Sequence, residues 1–123
     1  MYTVTIETEF SAAHIIRGYD GPCAHPHGHN WKVTVEASTD VLDQLGMSVD
    51  FYVLEKKMNE IVAQFDHRDL NTTPPFDHEL NPTSENIARY IFDELKKRLP
   101  SQMQLSYVAI GETGKYTAKY SEV

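Results

Sequence analysis

The chain has 123 residues, 41% of them hydrophobic and 24% charged, with a formal net charge of −7; this suits one globular domain, residues 1–123, that is too apolar to stay disordered and large enough to bury somewhat over ~60% of its unfolded surface. No apolar run approaches the roughly 20 residues of a membrane span, no basic and apolar leader opens the chain, and the longest basic run is Lys96-Lys97-Arg98, so neither a membrane nor a nucleic acid is expected as partner. A single cysteine, Cys23, fits a reducing cytoplasmic compartment and excludes both a four-cysteine zinc site and a finger of two cysteines and two histidines.

In chain order, Tyr2–Phe10 alternates apolar and polar residues, with Tyr2, Val4, Ile6 and Phe10 on one face, and predicts a strand with His14 just beyond it. A second strand is predicted over Asn30–Ala37, where Trp31, Val33 and Val35 alternate with polar neighbours; His27 and His29, separated by Gly28, stand at its entrance. Ser38 to Met47 is polar and turn-like. Asp50 then caps a helix with Phe51, Leu54, Met58, Ile61, Val62 and Phe65 on one face and Glu55, Lys56, Lys57 and Glu60 mostly on the other. Asp66 to Pro82 holds three of the prolines and reads as a long connecting loop, whose polar residues are candidates for function.

Thr83 caps a second helix, in which Ile87, Ile91, Leu95 and Leu99 recur until Pro100 stops it. The basic triplet falls in its last turn, where it complements the helix dipole. Leu105–Ile110 and Tyr116–Tyr120 predict two closing strands joined by a turn around Thr113-Gly114-Lys115. The order ββααββ predicts an α+β fold, a four-stranded antiparallel sheet with two helices on one face. Such a sheet has two open edges, so assembly through an edge is expected.

The histidines carry the chemistry. Side chains two apart on a strand share a face, and pairing of the first two strands brings His14 to His27 and His29. Three neutral imidazoles with a fourth position open is the arrangement of a catalytic zinc site. Cys23, four residues before His27, reads as a thiol near the metal, where its pKa falls, or as a small buried residue. Taken alone, Asp66-His67 reads as a brace at the end of the first helix, Glu85 as an acidic residue favoured by a helix amino end, and Glu112 as a strand-end carboxylate. His25 faces solvent or competes for metal, and Trp31, Tyr107, Tyr116 and Tyr120 read as core or barrel lining.

Phe10-Ser11-Ala12-Ala13-His14, Cys23 with His27-Gly28-His29, Asp66-His67 with Leu70-Asn71, Asn81-Pro82-Thr83-Ser84-Glu85, and Glu112-Thr113 occur in that order across most of the chain. Together they resemble the 6-pyruvoyltetrahydropterin synthase superfamily. The three residues between Cys23 and His27 (Ala24, His25 and Pro26) look most like its 6-carboxytetrahydropterin synthases of queuosine biosynthesis. The resemblance implies a tunnelling fold whose trimers close a barrel and stack in pairs as a homohexamer. It implies Zn2+ on His14, His27 and His29, Cys23 as catalytic base, Asp66 with His67 as a proton-transfer pair from a neighbouring subunit, Glu112 as anchor of the pterin ring and Glu85 as an aid at the pocket. The implied reaction turns 7,8-dihydroneopterin triphosphate into 6-carboxytetrahydropterin with loss of acetaldehyde and triphosphate. The alternatives are a 6-pyruvoyltetrahydropterin synthase that keeps the side chain and a non-catalytic zinc- or pterin-binding protein. Arg17, Arg68, Lys115 and Lys119 are the candidate cations for the triphosphate.

Overall fold

The first two strands are longer than their alternating cores suggest. In the computed structural model, which describes residues 1–21 and 24–122, β1 spans Tyr2–His14 and β2 spans His27–Thr39. They pair antiparallel without a break from Tyr2↔Thr39 to His14↔His27, so both histidine segments lie inside the ladder. Helix α1 (Phe51–Val62) starts where Asp50 accepts the Tyr52 N–H, and α2 (Ser84–Arg98) where Thr83 accepts the Asn86 N–H. Both caps satisfy amide donors that a first helical turn leaves unpaired. Leu54, Met58 and Ile61 of α1 are buried, as expected, but Phe51 is exposed, because it opens the helix beyond the edge of the core. Phe65 is buried in the turn that follows α1.

The sheet differs from the expected four antiparallel strands. Arg68–Asp69 forms a short β3 that runs parallel to β1 at Ala12 and Ala13, and the order ββαβαββ replaces ββααββ. With β4 (Gln104–Gly111) and β5 (Thr117–Tyr120), the five strands are arranged β3-β1-β2-β4-β5 in a mixed sheet. The cause is local: the Asp66 carboxylate accepts the Ser11 N–H at 2.9 Å, and the His67 N–H reaches Ser11 O at 2.6 Å. These bonds lay the loop along the edge of β1. Two residues are too few to show any alternation in a sequence.

One face of the sheet carries the core. Phe10, Trp31, Val33, Val35, Val108 and Ile110 form one cluster with buried residues of both helices. On the other face Thr3, Thr5, Glu7, Glu9, Asn30 and Lys32 are exposed. One apolar and one polar face is what period-two alternation produces in an antiparallel sheet. Tyr116, in the hairpin turn, is exposed rather than part of the core.

Two asparagines tie the exit of β1 to the long loop. Asn71 accepts the Ile15 N–H at 2.7 Å and donates to Ile15 O at 3.0 Å; Asn81 does the same for Arg17, both bonds being 2.9 Å. Each amide replaces a strand partner for one residue beyond His14. The Arg17 guanidinium is committed to Phe76 O and Leu80 O, which accounts for this candidate cation without a phosphate. Asn71→Ala is expected to lower unfolding stability by about 1–3 kcal/mol, the scale for leaving part-buried backbone groups unpaired. A urea midpoint equal to wild type would contradict this role.

Candidate functional site

Strand register builds the site. The cross-strand pairs Phe10↔Trp31, Ala12↔His29 and His14↔His27 continue one row on the core face, so the three histidines extend the hydrophobic layer at its end. His14 is 1% exposed. Trp31 walls the group, its ring centroid 4.8 Å from that of His14 and 5.1 Å from that of His29, while its Nε1–H donates to Ala12 O at 3.1 Å.

Two backbone carbonyls decide which ring nitrogens face inward. His14 Nδ1–H donates to Pro82 O and His27 Nδ1–H donates to His25 O, each at 2.7 Å. A carbonyl only accepts, so in the neutral rings the proton sits on Nδ1 and Nε2 carries a lone pair, as in a metal-ligating histidine oriented from outside. The two Nε2 atoms are 2.9 Å apart. Burial holds His14 and His29 below the ordinary 6.5, against the weaker opposing effects of the Pro82 carbonyl on His14 and of Glu112 on both. Neutral imidazole is the form a metal takes.

Glu112 completes the cluster. It follows the last residue of β4, in the turn where its N–H bonds Tyr116 O at 3.0 Å. Its Oε1 lies 3.2 Å from His14 Nε2 and 3.0 Å from His29 Nε2. His29 Nε2 is buried and, despite that short approach, has no hydrogen-bond partner among the described residues; proximity without alignment is not a hydrogen bond. One ligand atom from each of His14, His27, His29 and Glu112 lies within 4.8 Å of the others. Zinc bonds of about 2.0–2.1 Å arranged as a tetrahedron separate their donors by about 3.3 Å, so the close pairs in this cluster are near the required spacing. Bare lone pairs, an unpartnered nitrogen and an anionic oxygen facing one point fit a divalent cation of the zinc type.

Two cavities adjoin the cluster. A space of about 200 Å³ is lined by His14, Ile16, Tyr19, Thr83, Glu85 and Glu112, among others, which brings both expected pterin-contacting carboxylates to one opening, with the amino end of α2 at its wall. A second, of about 380 Å³, is bordered by Ser11, Gly28, His29, Asn30, His67 and Arg68, among others. His67 and His29 thus border one cleft. Within the expected proton-transfer pair, His67 Nδ1 is 3.1 Å from Asp66 Oδ1, and His67 has φ +59, left-handed backbone that is uncommon outside glycine. Cys23 lies outside the described residues. His25 is exposed and contributes its carbonyl; Lys119 sits over the Tyr107 ring at 4.2 Å. Side-chain patterns give no signal for Pro82 O or His25 O, because both groups belong to the backbone.

The Ser11 N–H, followed by His67, holds the Asp66 carboxyl below its usual 3.8. A depressed carboxyl stabilises the fold above its unfolded pKa, and that contribution is lost as pH falls through the folded value. Asp66→Asn, whose amide oxygen accepts from Ser11 at any pH, is expected to flatten the loss of stability below about pH 4. Denaturation midpoints across the acid range check this, and parallel curves for the two proteins would contradict it.

Comparison with known proteins agrees over nearly the whole chain. The family model described as 6-pyruvoyl tetrahydropterin synthase matches residues 3–123. A protein of Archaeoglobus fulgidus, provisionally named a 6-carboxy-5,6,7,8-tetrahydropterin synthase, is 46% identical over 95 residues, 77% of this chain and 76% of that one. The 6-carboxy-5,6,7,8-tetrahydropterin synthase of Haemophilus influenzae is 28% identical over 144 residues, covering 99% of this chain and 100% of that protein. The solved 6-pyruvoyl tetrahydropterin synthase of Caenorhabditis elegans superposes with a TM-score of 0.84 at 33% identity, over 100% of this chain and 98% of that one. With fold, residue order and family model in agreement from one end to the other, this chain belongs to the 6-pyruvoyl tetrahydropterin synthase family.

Proposed function

We propose that this protein is a zinc-dependent 6-carboxytetrahydropterin synthase, converting 7,8-dihydroneopterin triphosphate to 6-carboxytetrahydropterin with release of acetaldehyde and triphosphate. The observation that carries the reading is the convergence of His14, His27 and His29 with two Nδ1 protons committed outward. The similarity to the A. fulgidus and H. influenzae proteins supports the carboxy product.

His14, His27 and His29 hold the zinc in this reading. Bound there, it supplies Lewis acidity toward the oxygens of the substrate side chain, which makes neighbouring carbon-bound protons easier to remove. Cys23 takes such a proton as thiolate, a form favoured near a cation or an imidazolium. His67 moves a second proton: with Nδ1 turned to Asp66, its Nε2 is free to exchange with substrate, and the Asp66 carboxylate steadies the ring when it is charged. Glu112 accepts two N–H bonds from the amino-pyrimidine edge and fixes the ring, and Glu85 assists from the mouth of the same cavity. A cytoplasmic homohexamer of two trimers completes the proposal. Its support is the outer edge of β1, where β3 pairs only with Ala12 and Ala13, and a four-residue edge strand, β5, on the other side.

Retention of the side chain, giving a 6-pyruvoyl product, is the second reading, supported by the whole-chain likeness to the C. elegans enzyme. Incubating the zinc-loaded protein with 7,8-dihydroneopterin triphosphate and identifying products by mass spectrometry, with an acetaldehyde assay, decides between them. Carboxytetrahydropterin with acetaldehyde supports the proposal, a pyruvoyl product selects the second reading, and intact substrate defeats both in favour of a binding role. Cys23→Ala is expected to keep substrate affinity and lose turnover by about 10²-fold or more, the scale of a positioned base; unchanged turnover would remove Cys23 from the reaction.

A further inference from the structure

Glu112 carries two demands that one position cannot meet. Ring anchoring, its role in the proposed function, occupies both carboxylate oxygens on the amino-pyrimidine edge. Here Oε1 is turned instead to His14 Nε2 and His29 Nε2, at 3.2 and 3.0 Å. Neither approach is an ordinary hydrogen bond between neutral imidazole and carboxylate. The proton of His14 is on Nδ1, donated to Pro82 O, and His29 Nε2 has no hydrogen-bond partner among the described residues. An anionic oxygen held against the Nε2 lone pair of His14 in a largely buried site is repulsive unless a cation lies between them. Three imidazole nitrogens and one carboxylate oxygen within 4.8 Å make a complete four-ligand set, whereas three histidines alone leave a position open.

The four residues also differ in freedom. His14, His27 and His29 sit in the β1–β2 ladder, where register places each imidazole. Glu112 stands on the turn after Gly111, with 23% of its side chain exposed and its backbone N–H held by Tyr116 O. Rotating its side chain away from the histidines breaks no ladder hydrogen bond. The cavity of about 200 Å³ that it shares with His14 and the amino end of α2 gives it somewhere to turn.

We propose that Glu112 is the fourth ligand of the substrate-free metal centre and that it exchanges the metal for the pterin ring when substrate enters. The fourth position then opens only when a ring is present to receive the carboxylate, which keeps the resting site closed to water and to other ligands. This inference rests on the metal and pterin reading given above.

Cobalt(II) in place of zinc tests it, because its visible spectrum reports the number and type of ligands. Glu112→Gln, which keeps shape but loses the anionic donor, is expected to alter the visible bands and to weaken Co2+ binding by about 10-fold or more in chelator competition, since even partners outside the ligand shell change metal affinity by 10- to 100-fold. Neopterin, a pterin without triphosphate, is expected to alter the wild-type spectrum as it binds, with binding followed independently by its fluorescence. Identical spectra and affinities for wild type and variant would overturn the fourth-ligand role. Bound neopterin that leaves the wild-type spectrum unchanged would overturn the exchange. A wild-type protein that takes up no Co2+ would instead overturn the metal reading itself, so the two failures are distinguishable.

Discussion

With the site holding zinc as proposed, His29→Ala is expected to reduce bound zinc from about one ion per chain to a small fraction and to lower kcat/KM by roughly 10²–10³-fold or more, since a Lewis acid contributes several kcal/mol and each 1.36 kcal/mol is a factor of ten. The reason lies in the backbone carbonyls that hold the other two imidazoles. His14 and His27 each have a backbone carbonyl turning Nε2 inward, and with His29 removed these two nitrogens and Glu112 Oε1 still converge. Two imidazoles and a carboxylate retain some affinity, so the loss is graded: metal added in excess should restore part of the occupancy. Elemental analysis after dialysis, followed by turnover at saturating zinc, measures both. A variant that keeps stoichiometric zinc and wild-type turnover would place the metal elsewhere.

The largest effect on stability is expected from Trp31→Ala, about 3–5 kcal/mol. Trp31 is 0% exposed and stacks on Phe10 with centroids 6.0 Å apart. Its removal leaves a cavity between sheet and helices and takes the indole N–H from Ala12 O. It also removes the wall against which His14 and His29 rest, so metal affinity should fall along with the denaturation midpoint. Unfolding curves at one fixed protein concentration separate this from any change in assembly. A loss below about 1 kcal/mol would mean that the site collapses far more completely than large-to-small replacements in cores generally do.

Much of the fold was legible because the relevant signals are local. Alternation in Val4, Ile6 and Phe10 against Trp31, Val33 and Val35 marks two strands and their buried face, and Asp50 and Thr83 mark the helix starts through groups that cap their own amides. The strand β3 was not legible, since its two residues pair through backbone bonds to Ser11 that depend on where the loop lies. Phe51 misled for a related reason: its spacing matches the apolar face, but it stands where the helix has run past the core.

The site divides in the same way. Residue spacing by itself determined that His27 and His29 would share a face, because a strand repeats every two residues whatever surrounds it; His14 joins them through the β1–β2 register. Asp66, His67, Glu85 and Glu112 are singled out only by the resemblance to a known family, since spacing alone reads them as a brace, a helix-end acid and a strand-end carboxylate. Only the tertiary structure decided that Pro82 O and His25 O turn the imidazoles inward, that Glu112 Oε1 faces the same point, and that Arg17 is taken up by two carbonyls. The physical reason is distance along the chain: a hydrogen bond acts over about 3 Å, and 68 residues separate His14 from Pro82, so no local pattern of side chains can encode which carbonyl arrives.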